Sequence, residues 1–521
     1  MKKLPIGIQS FKKIREGDFY YVDKTFFVKR LIDYGGGYYF LSRPRRFGKS
    51  LFLDTLKWAF SGRKEYFRGL YLENNWDWEK VHPVIHISFG SGEISDEKDL
   101  DMRALSILAR NEEELGVKCA SRDDPREFFI ELIYRAAQKY REKVVVLVDE
   151  YDKPILDNIE NKDKAAFLRD RLKNIYSIIK DSDQYLEFAF IAGVSKFTKV
   201  SLFSGLNNLN DITLDTNYAT ICGYTQAEFE EVFSDQLSSL DLEGVKKWYN
   251  GYSWLGESVY NPFDVLLYLD KQEFRSFWFE TGTPSFLVRL LVDSKYYIPG
   301  LERIEVGEEL IGSFDVNEIY PENLLFQTGY LTISQKLSAQ PLIRYVLTPP
   351  NLEVKYSLAN YILDYLVLDY RAKDNNRIGI YKALDNRDLS ELKQIIQSFF
   401  ASIPNDWYRK NDLSGYEGYY ASIFYCYFAA CGLDVRAEDS TNQGRIDMTL
   451  MYKDRVYIFE FKVVELLPKG KAIEQIRERK YHEKYADQNK EIYLIGAEFS
   501  KEERNLVAFD VEKVPDRPSC K

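Results

Sequence analysis

Four short runs in the first 215 residues are apolar at nearly every position: YYFLS (38–42), PVIHISF (83–89), VVVLVDE (144–150) and FAFIAGVS (188–195). A strand with one wet face alternates polar and apolar residues. These runs do not alternate, so both of their faces are predicted to be covered. Helical patterns separate them, as in the run from Lys49 to Phe60, and that alternation predicts a parallel sheet. From about residue 216 the pattern changes. TQAEFEEVFSDQL, EGVKKWYNGY and NPFDVLLYL read as short helices, the last with Asn261 as N-cap and Pro262 at the first helical position. LLFQTGYLTI reads as a strand. Residues 346–410 are helix-rich and carry no chemical signal. A compact α/β unit follows: helix 417–431, hairpin 445–463, helix 471–486 and strand 491–496.

Composition narrows the class. The 521 residues are 45% hydrophobic and 29% charged, which suits a globular chain of about three domains at roughly 150 residues each. There is no apolar window of about 18 residues and no apolar leader after MKKLPIGIQSF, so neither a membrane span nor a secretory signal is expected and the cytoplasm is favoured. Five cysteines without a C-x-x-C pair suggest neither disulfides nor a zinc site. His82 and His86 share a strand face, a weak case for a metal. A net charge of −10 argues against a non-specific DNA coat but leaves room for a local basic groove.

The junction LSRPRRFGKSLFLDTL joins a strand to a helix and ends like a P-loop. Gly48 would let the backbone approach phosphate at a helix N-terminus. Lys49 would reach the β- and γ-phosphates and Ser50 would bind Mg²⁺. The generic pattern wants Gly at position 43, where this chain has Arg43, so a polar strand–helix turn with a surface lysine is the plain alternative. VVVLVDEYDKP adds two acids at a strand end, about 100 residues on. Asp149 would hold the metal and Glu150 would orient or deprotonate the attacking water.

GRIDMTLMYKDRVYIFEFK (444–462) reads as a β-hairpin turning at Lys453-Asp454. A two-residue loop pairs Tyr452 with Arg455 and sets Asp447 opposite Glu460, with Lys462 on the same face. Ile446, Met448 and Leu450 would form the opposite, apolar face. Two facing carboxylates repel, and a divalent cation such as Mg²⁺, held by Asp447 and Glu460, relieves that repulsion. Lys462 would orient water or steady the phosphorus. The alternative is a solvated Lys–Glu pair on an ordinary strand.

YYVDKTFFVKRL, FLSRPRRFGKSLFLDTL, LVDEYDKPI and AGVSKFTKVSLFSGLNNLNDIT resemble the bacterial and archaeal AAA-ATPase-like family, which typically precedes a PD-(D/E)XK nuclease-like domain. RPRRFGKS is similar to that family's own P-loop. The resemblance implies a sensor role for Ser195, and none that we can name for Asp23 and Lys24. Arg43, Arg45 and Arg46 either touch nucleotide or pack, with Arg46 the candidate contact. In the nuclease superfamily, Glu417 on the first helix would join Asp447, Glu460 and Lys462, and Gln475 and Tyr481 match the helix after the core. The implied fold is α/β: a P-loop NTPase parallel sheet (1–215), a mostly helical lid- or winged-helix-like module (216–345), a helical connector (346–410) and a restriction-endonuclease-like domain (411–521). The implied activity is ATP hydrolysis with Mg-dependent cleavage of DNA. The alternative is a nucleotide-dependent regulator or DNA-binding switch whose nuclease fold is not catalytic. Oligomerisation is open, since no arginine finger is identifiable.

Overall fold

The computed structural model describes residues 2–33, 37–197, 208–238, 240–278, 285–294, 296–312, 314–316, 318–339, 342–366, 370–403, 417–466 and 469–515. Residues 198–207 of the motif AGVSKFTKVSLFSGLNNLNDIT lie outside the described residues. The chain divides into two compact units, Met1–Gly282 with Glu305–Asn351, and Thr283–Ile304 with Leu352–Lys521.

The first unit is built on a five-stranded sheet of β1 (Tyr38–Ser42), β2 (Val84–Ser88), β3 (Val144–Asp149), β4 (Leu186–Gly193) and β5 (Asn210–Asp211). Its order is β2-β3-β4-β1-β5, and every pairing is parallel. β1 and β3 are buried at every position, as their unbroken apolar runs predict. Because the strands are parallel, the C-terminal ends of β1, β3 and β4 lie along one edge. That edge is where this kind of sheet binds ligands. Helix α1 spans Lys49–Phe60, as read from the sequence.

The YVDKT motif is structural. Asp23 accepts from Thr25 N–H and, through its other oxygen, from Tyr71 N–H. Buried Lys24 donates to both carboxylate oxygens of Glu228 at 2.7 Å. Glu228 also closes a capping box with Thr225 at the start of the helix Gln226–Val232. Asn261 caps the helix Pro262–Lys271 by accepting from Phe263 N–H, with proline at the first position as expected. Phe229, Phe233, Tyr249 and Tyr260 fill the core of this helical part. One expectation fails: LLFQT belongs to the helix Pro321–Thr328, which ends at Gly329 with φ +92°, and the strand begins only at Thr332. The left-handed glycine separates helix from strand within a mostly apolar run. Three strands, β6 (Ile304–Gly307), β7 (Thr332–Ala339) and β8 (Leu342–Thr348), form a sheet in the order β6-β8-β7.

The second unit carries a mixed sheet of β9 (Asp434–Thr441), β10 (Gly444–Tyr452), β11 (Arg455–Val463), β12 (Glu491–Ser500) and β13 (Asn505–Lys513) in the order β13-β12-β11-β10-β9. β11 and β12 are parallel and the other pairs antiparallel. Helix α2 (Glu417–Ala430) covers one face, its Phe424 packing on Phe459 and Phe461. Helix α3 (Lys471–Glu478) covers the other, its Ile473 and Ile476 packing with Val456, Ile458, Ile492 and Leu494. β11 is therefore buried at all nine positions. The helix read as 471–486 is shorter: α3 ends at Glu478, and a 3-10 turn, Tyr481–Tyr485, follows.

Candidate functional site

The P-loop forms where β1 hands over to α1. Arg46 and Gly48 take left-handed φ values of +69° and +93°, which wind the chain into a concave turn. Nothing lies within 4 Å of where a Gly48 Cβ would be, so backbone conformation rather than crowding requires glycine there. Arg43 resolves the departure from the generic motif. It is fully buried, its guanidinium donating to the carbonyls of Ser42, Thr213 and Tyr218 and lying 4.2 Å from the Trp254 ring. It packs behind the loop instead of facing ligand. Arg46 stacks on Phe263 at 4.6 Å and lines the cavity. Lys49 donates to the carbonyls of Arg43 and Pro44, both at 2.8 Å. Burial lowers its pKa, and the charge of Asp149 acts in the opposite sense.

A cavity of about 370 Å³ opens at this edge of the sheet, lined by Gly48, Lys49, Ser50, Glu150 and Asp152 among others. That volume suits a small-molecule ligand. Asp149 ends β3, buried, and hydrogen-bonds the Ser50 hydroxyl; burial raises its pKa. Glu150 follows in a left-handed conformation, φ +50°, and its carboxylate approaches Gly90, where a Cβ would lie 3.0 Å from Oε2. Burial, then the charge of Asp149, raises the Glu150 pKa. Such strain in a non-glycine residue is a mark of functional sites.

Ser195 lies just past β4 and is fully buried; it is not among the residues lining the cavity. Its hydroxyl has no hydrogen-bond partner among the described residues. Its N–H donates to Asp152 at 2.5 Å, and its carbonyl accepts from Tyr151 at 2.7 Å. Asp152 was missed by sequence reading. It is buried, faces the cavity, ties the end of β4 to the end of β3, and has its pKa raised by burial to about 6. The signal was present as the third acid of DEYD, three residues after Asp149.

In the second unit the hairpin turns at Lys453-Asp454, with Lys453 at φ +53°. Tyr452 pairs with Arg455 and the predicted register runs to Met448↔Phe459. There the ladder stops, one pair short of Asp447 and Glu460. The Asp447 side chain accepts the Phe461 N–H at 2.8 Å, so a carboxylate oxygen takes the place of a strand carbonyl. Ile446 also departs from expectation: it packs with Val456 and Ile458 rather than on the opposite face. The break in the ladder beside it accounts for the change.

Lys462 Nζ donates to Glu460 at 2.9 Å, to Glu417 at 3.1 Å and to the Phe461 carbonyl at 2.8 Å. Glu460 also accepts from Gln475. The structure thus brings Glu417, Glu460, Lys462 and Gln475 together, with Asp447 adjacent. Tyr481 packs in the core beside them. Glu460 is 1% exposed, and its Oε2 has no hydrogen-bond partner among the described residues. Burial, then the charge of Asp447, pushes its pKa up to about 8. Burial likewise raises Asp447 to about 6. Burial opposes the Lys462 charge, yet Glu460, Asp447 and Glu417 together hold it above the ordinary lysine range.

Among the described residues no three His, Cys, Asp or Glu side chains converge closely enough to hold a metal as they stand. The donor chemistry nevertheless fits a hard divalent cation. A buried carboxylate oxygen lacks a partner, and a second carboxylate beside it resists ionisation. No helix of the described residues is long and apolar enough to cross a membrane.

Residues 5–203 match the family described as predicted AAA-ATPase, and residues 415–509 match the PD-(D/E)XK nuclease superfamily. A protein of Azotobacter chroococcum mcd 1, described only as an uncharacterized protein in the vnfD 5′ region, is 52% identical over 516 residues, covering 98% of this chain and 99% of that one. No solved structure matches. With its P-loop sheet, its acid–lysine hairpin and these matches, the chain belongs to the AAA-ATPase-like family, with a C-terminal domain of the PD-(D/E)XK nuclease superfamily.

Proposed function

We propose that this protein binds and hydrolyses ATP with Mg²⁺ in its first unit and cleaves DNA at the hairpin of its second, with the nucleotide controlling the cut. The observation that carries the nuclease reading is the buried pair of Glu460 and Lys462, joined by the partly exposed Glu417 and lying beside the half-buried Asp447. A purely structural ion pair does not need a second carboxylate beside it that raises the pKa of the first.

In the first unit, backbone N–H groups at Gly48 and the start of α1 hold phosphate oxygens. Lys49 exchanges the carbonyls of Arg43 and Pro44 for the β- and γ-phosphates. Ser50 and Asp149 would hold Mg²⁺, which neutralises charge on the phosphates. Glu150 accepts the proton of the attacking water, a role suited to a carboxylate whose pKa is raised. Asp152 fixes the backbone of Ser195 and so joins the sensor position to the cavity wall.

In the second unit, Asp447 and Glu460 would hold a divalent cation, which supplies an activated water and charge neutralisation at the scissile phosphate. Lys462 stays protonated near neutral pH and places a fixed positive charge at the phosphate. Glu417 and Glu460 restrain its amine, and Gln475 orients Glu460. The test is a cleavage assay on linear, circular and single-stranded DNA with Mg²⁺ or Mn²⁺, comparing the wild type with Asp447→Asn. Cutting that disappears in the variant supports the reading. Nucleotide turnover without any cutting replaces it with a nucleotide-dependent switch that uses the nuclease fold for binding.

A further inference from the structure

The second unit is not one continuous stretch of chain. It takes Thr283–Ile304 out of the sequence of the first unit, which resumes at Glu305. Within the second unit this strap is fastened to α2. Ile298 N–H donates to Ser422 Oγ at 3.2 Å. Glu302 accepts from Tyr425 and, through its other oxygen, from Lys355 at 2.6 Å. Tyr297 lies at the head of these contacts. Its ring abuts Gly418, where a Cβ would stand 3.2 Å from Cδ2, and its hydroxyl donates to Glu438 Oε1 at 2.8 Å.

Glu438 occupies a telling place. The ladder pairs Ala437 with Met448 and Asp439 with Ile446, which leaves Glu438 facing Asp447 across β9 and β10. Its backbone is left-handed, φ +50°, in the middle of a strand. Its other carboxylate oxygen meets Arg445 at 3.4 Å, from a side chain that is 71% exposed. Facing carboxylates repel, and a strained backbone is kept only where its surroundings hold it. The well-formed contact holding Glu438 is the one from Tyr297. A carboxylate fixed there adds negative potential beside Asp447, where a cation is to bind.

We propose that Tyr297 is a positioning residue: its hydroxyl holds Glu438 beside Asp447 and thereby sets the cation affinity of the acid site. This rests on the reading above that Asp447 and Glu460 hold a divalent cation.

The test is Mn²⁺ binding to the full, nucleotide-free chain, followed by the electron paramagnetic resonance of free Mn²⁺. Binding lost in Asp447→Ala defines the site. Tyr297→Phe keeps the ring against Gly418 and removes the hydroxyl. It is expected to weaken that binding about tenfold, the worth of one hydrogen bond to a charged group. Glu438→Gln is expected to match it, and the double variant to add little beyond either. Unchanged affinity in Tyr297→Phe, or fully additive losses in the double variant, overturns the positioning role. If the wild type binds Mn²⁺ through Asp447 and cuts no nucleic acid, the nuclease reading falls, while the binding comparison still decides the role of Tyr297.

Discussion

Glu460 shows what one buried side chain can report. Its pKa is raised to about 8 by burial and by Asp447, against about 4.3 in an unfolded chain. Between those values the folded protein binds a proton that the unfolded chain has released, so in chelator stability falls as pH rises through that window. Asp447 adds to the fall below about pH 6, with the same sign. Lys462, raised above the ordinary lysine range, keeps its contribution throughout this window and loses it only at higher pH. Glu460→Gln removes the main titration. Its loss of melting temperature between pH 5 and 8.5, measured by calorimetry in chelator, is expected to be smaller than the wild type's by at least about 3 °C. Saturating Mg²⁺ should shrink the same slope in the wild type and leave the variant nearly unmoved. The identities of these residues were legible in E-x-K and the Asp on the preceding strand. Their energetics were not, because burial of β11 on both faces depends on α2 and α3, which pack from opposite sides.

At the scale of elements, sequence patterning succeeded where a run was long and uniform and failed where a single residue changed the backbone. Four strands of the first sheet and α1 follow from apolar runs and one glycine, whereas β5, the polar pair Asn210–Asp211, was not legible. Gly329 separates a helix from a strand inside a mostly apolar run, and the Asp447 carboxylate ends a ladder that turn geometry alone would extend. Glu438 was overlooked because it belongs to no spacing pattern, and Asp152, although the third acid of DEYD, because it acts through the backbone of Val194 and Ser195, distant in sequence. Packing of α3 on the sheet depends on Gly496 of β12. A Cβ there would stand 2.5 Å from Ile473 N and 2.9 Å from Ile473 Cβ. Gly496→Ala is expected to lift α3 and cost the second unit about 1–3 kcal/mol in chemical denaturation. It should also loosen Gln475 from Glu460. In the first unit, Thr225→Ala opens the capping box that also fixes Glu228, the partner of Lys24. A loss of about 1 kcal/mol or more is expected from the cap.

At the scale of the whole molecule, two proposed sites share one chain. The net charge of −10 makes a broad electrostatic grip on DNA unlike this protein, so binding should depend on salt less steeply than for a basic DNA-binding protein. Lys49→Ala is expected to weaken ATP binding by about a hundredfold or more, since on the proposed reading its ammonium is the charge that meets the phosphates. Equilibrium binding of a labelled nucleotide checks that directly. The central claim is that nucleotide in the first unit governs the cut in the second. The most direct measurement is the rate of DNA cleavage by wild type and Lys49→Ala, each with and without ATP, at fixed Mg²⁺. The account predicts a wild-type rate that changes at least about tenfold with ATP. It predicts a Lys49→Ala rate that Asp447→Asn still abolishes but that ATP no longer moves. Cleavage in which ATP shifts both proteins equally, or neither, would contradict it.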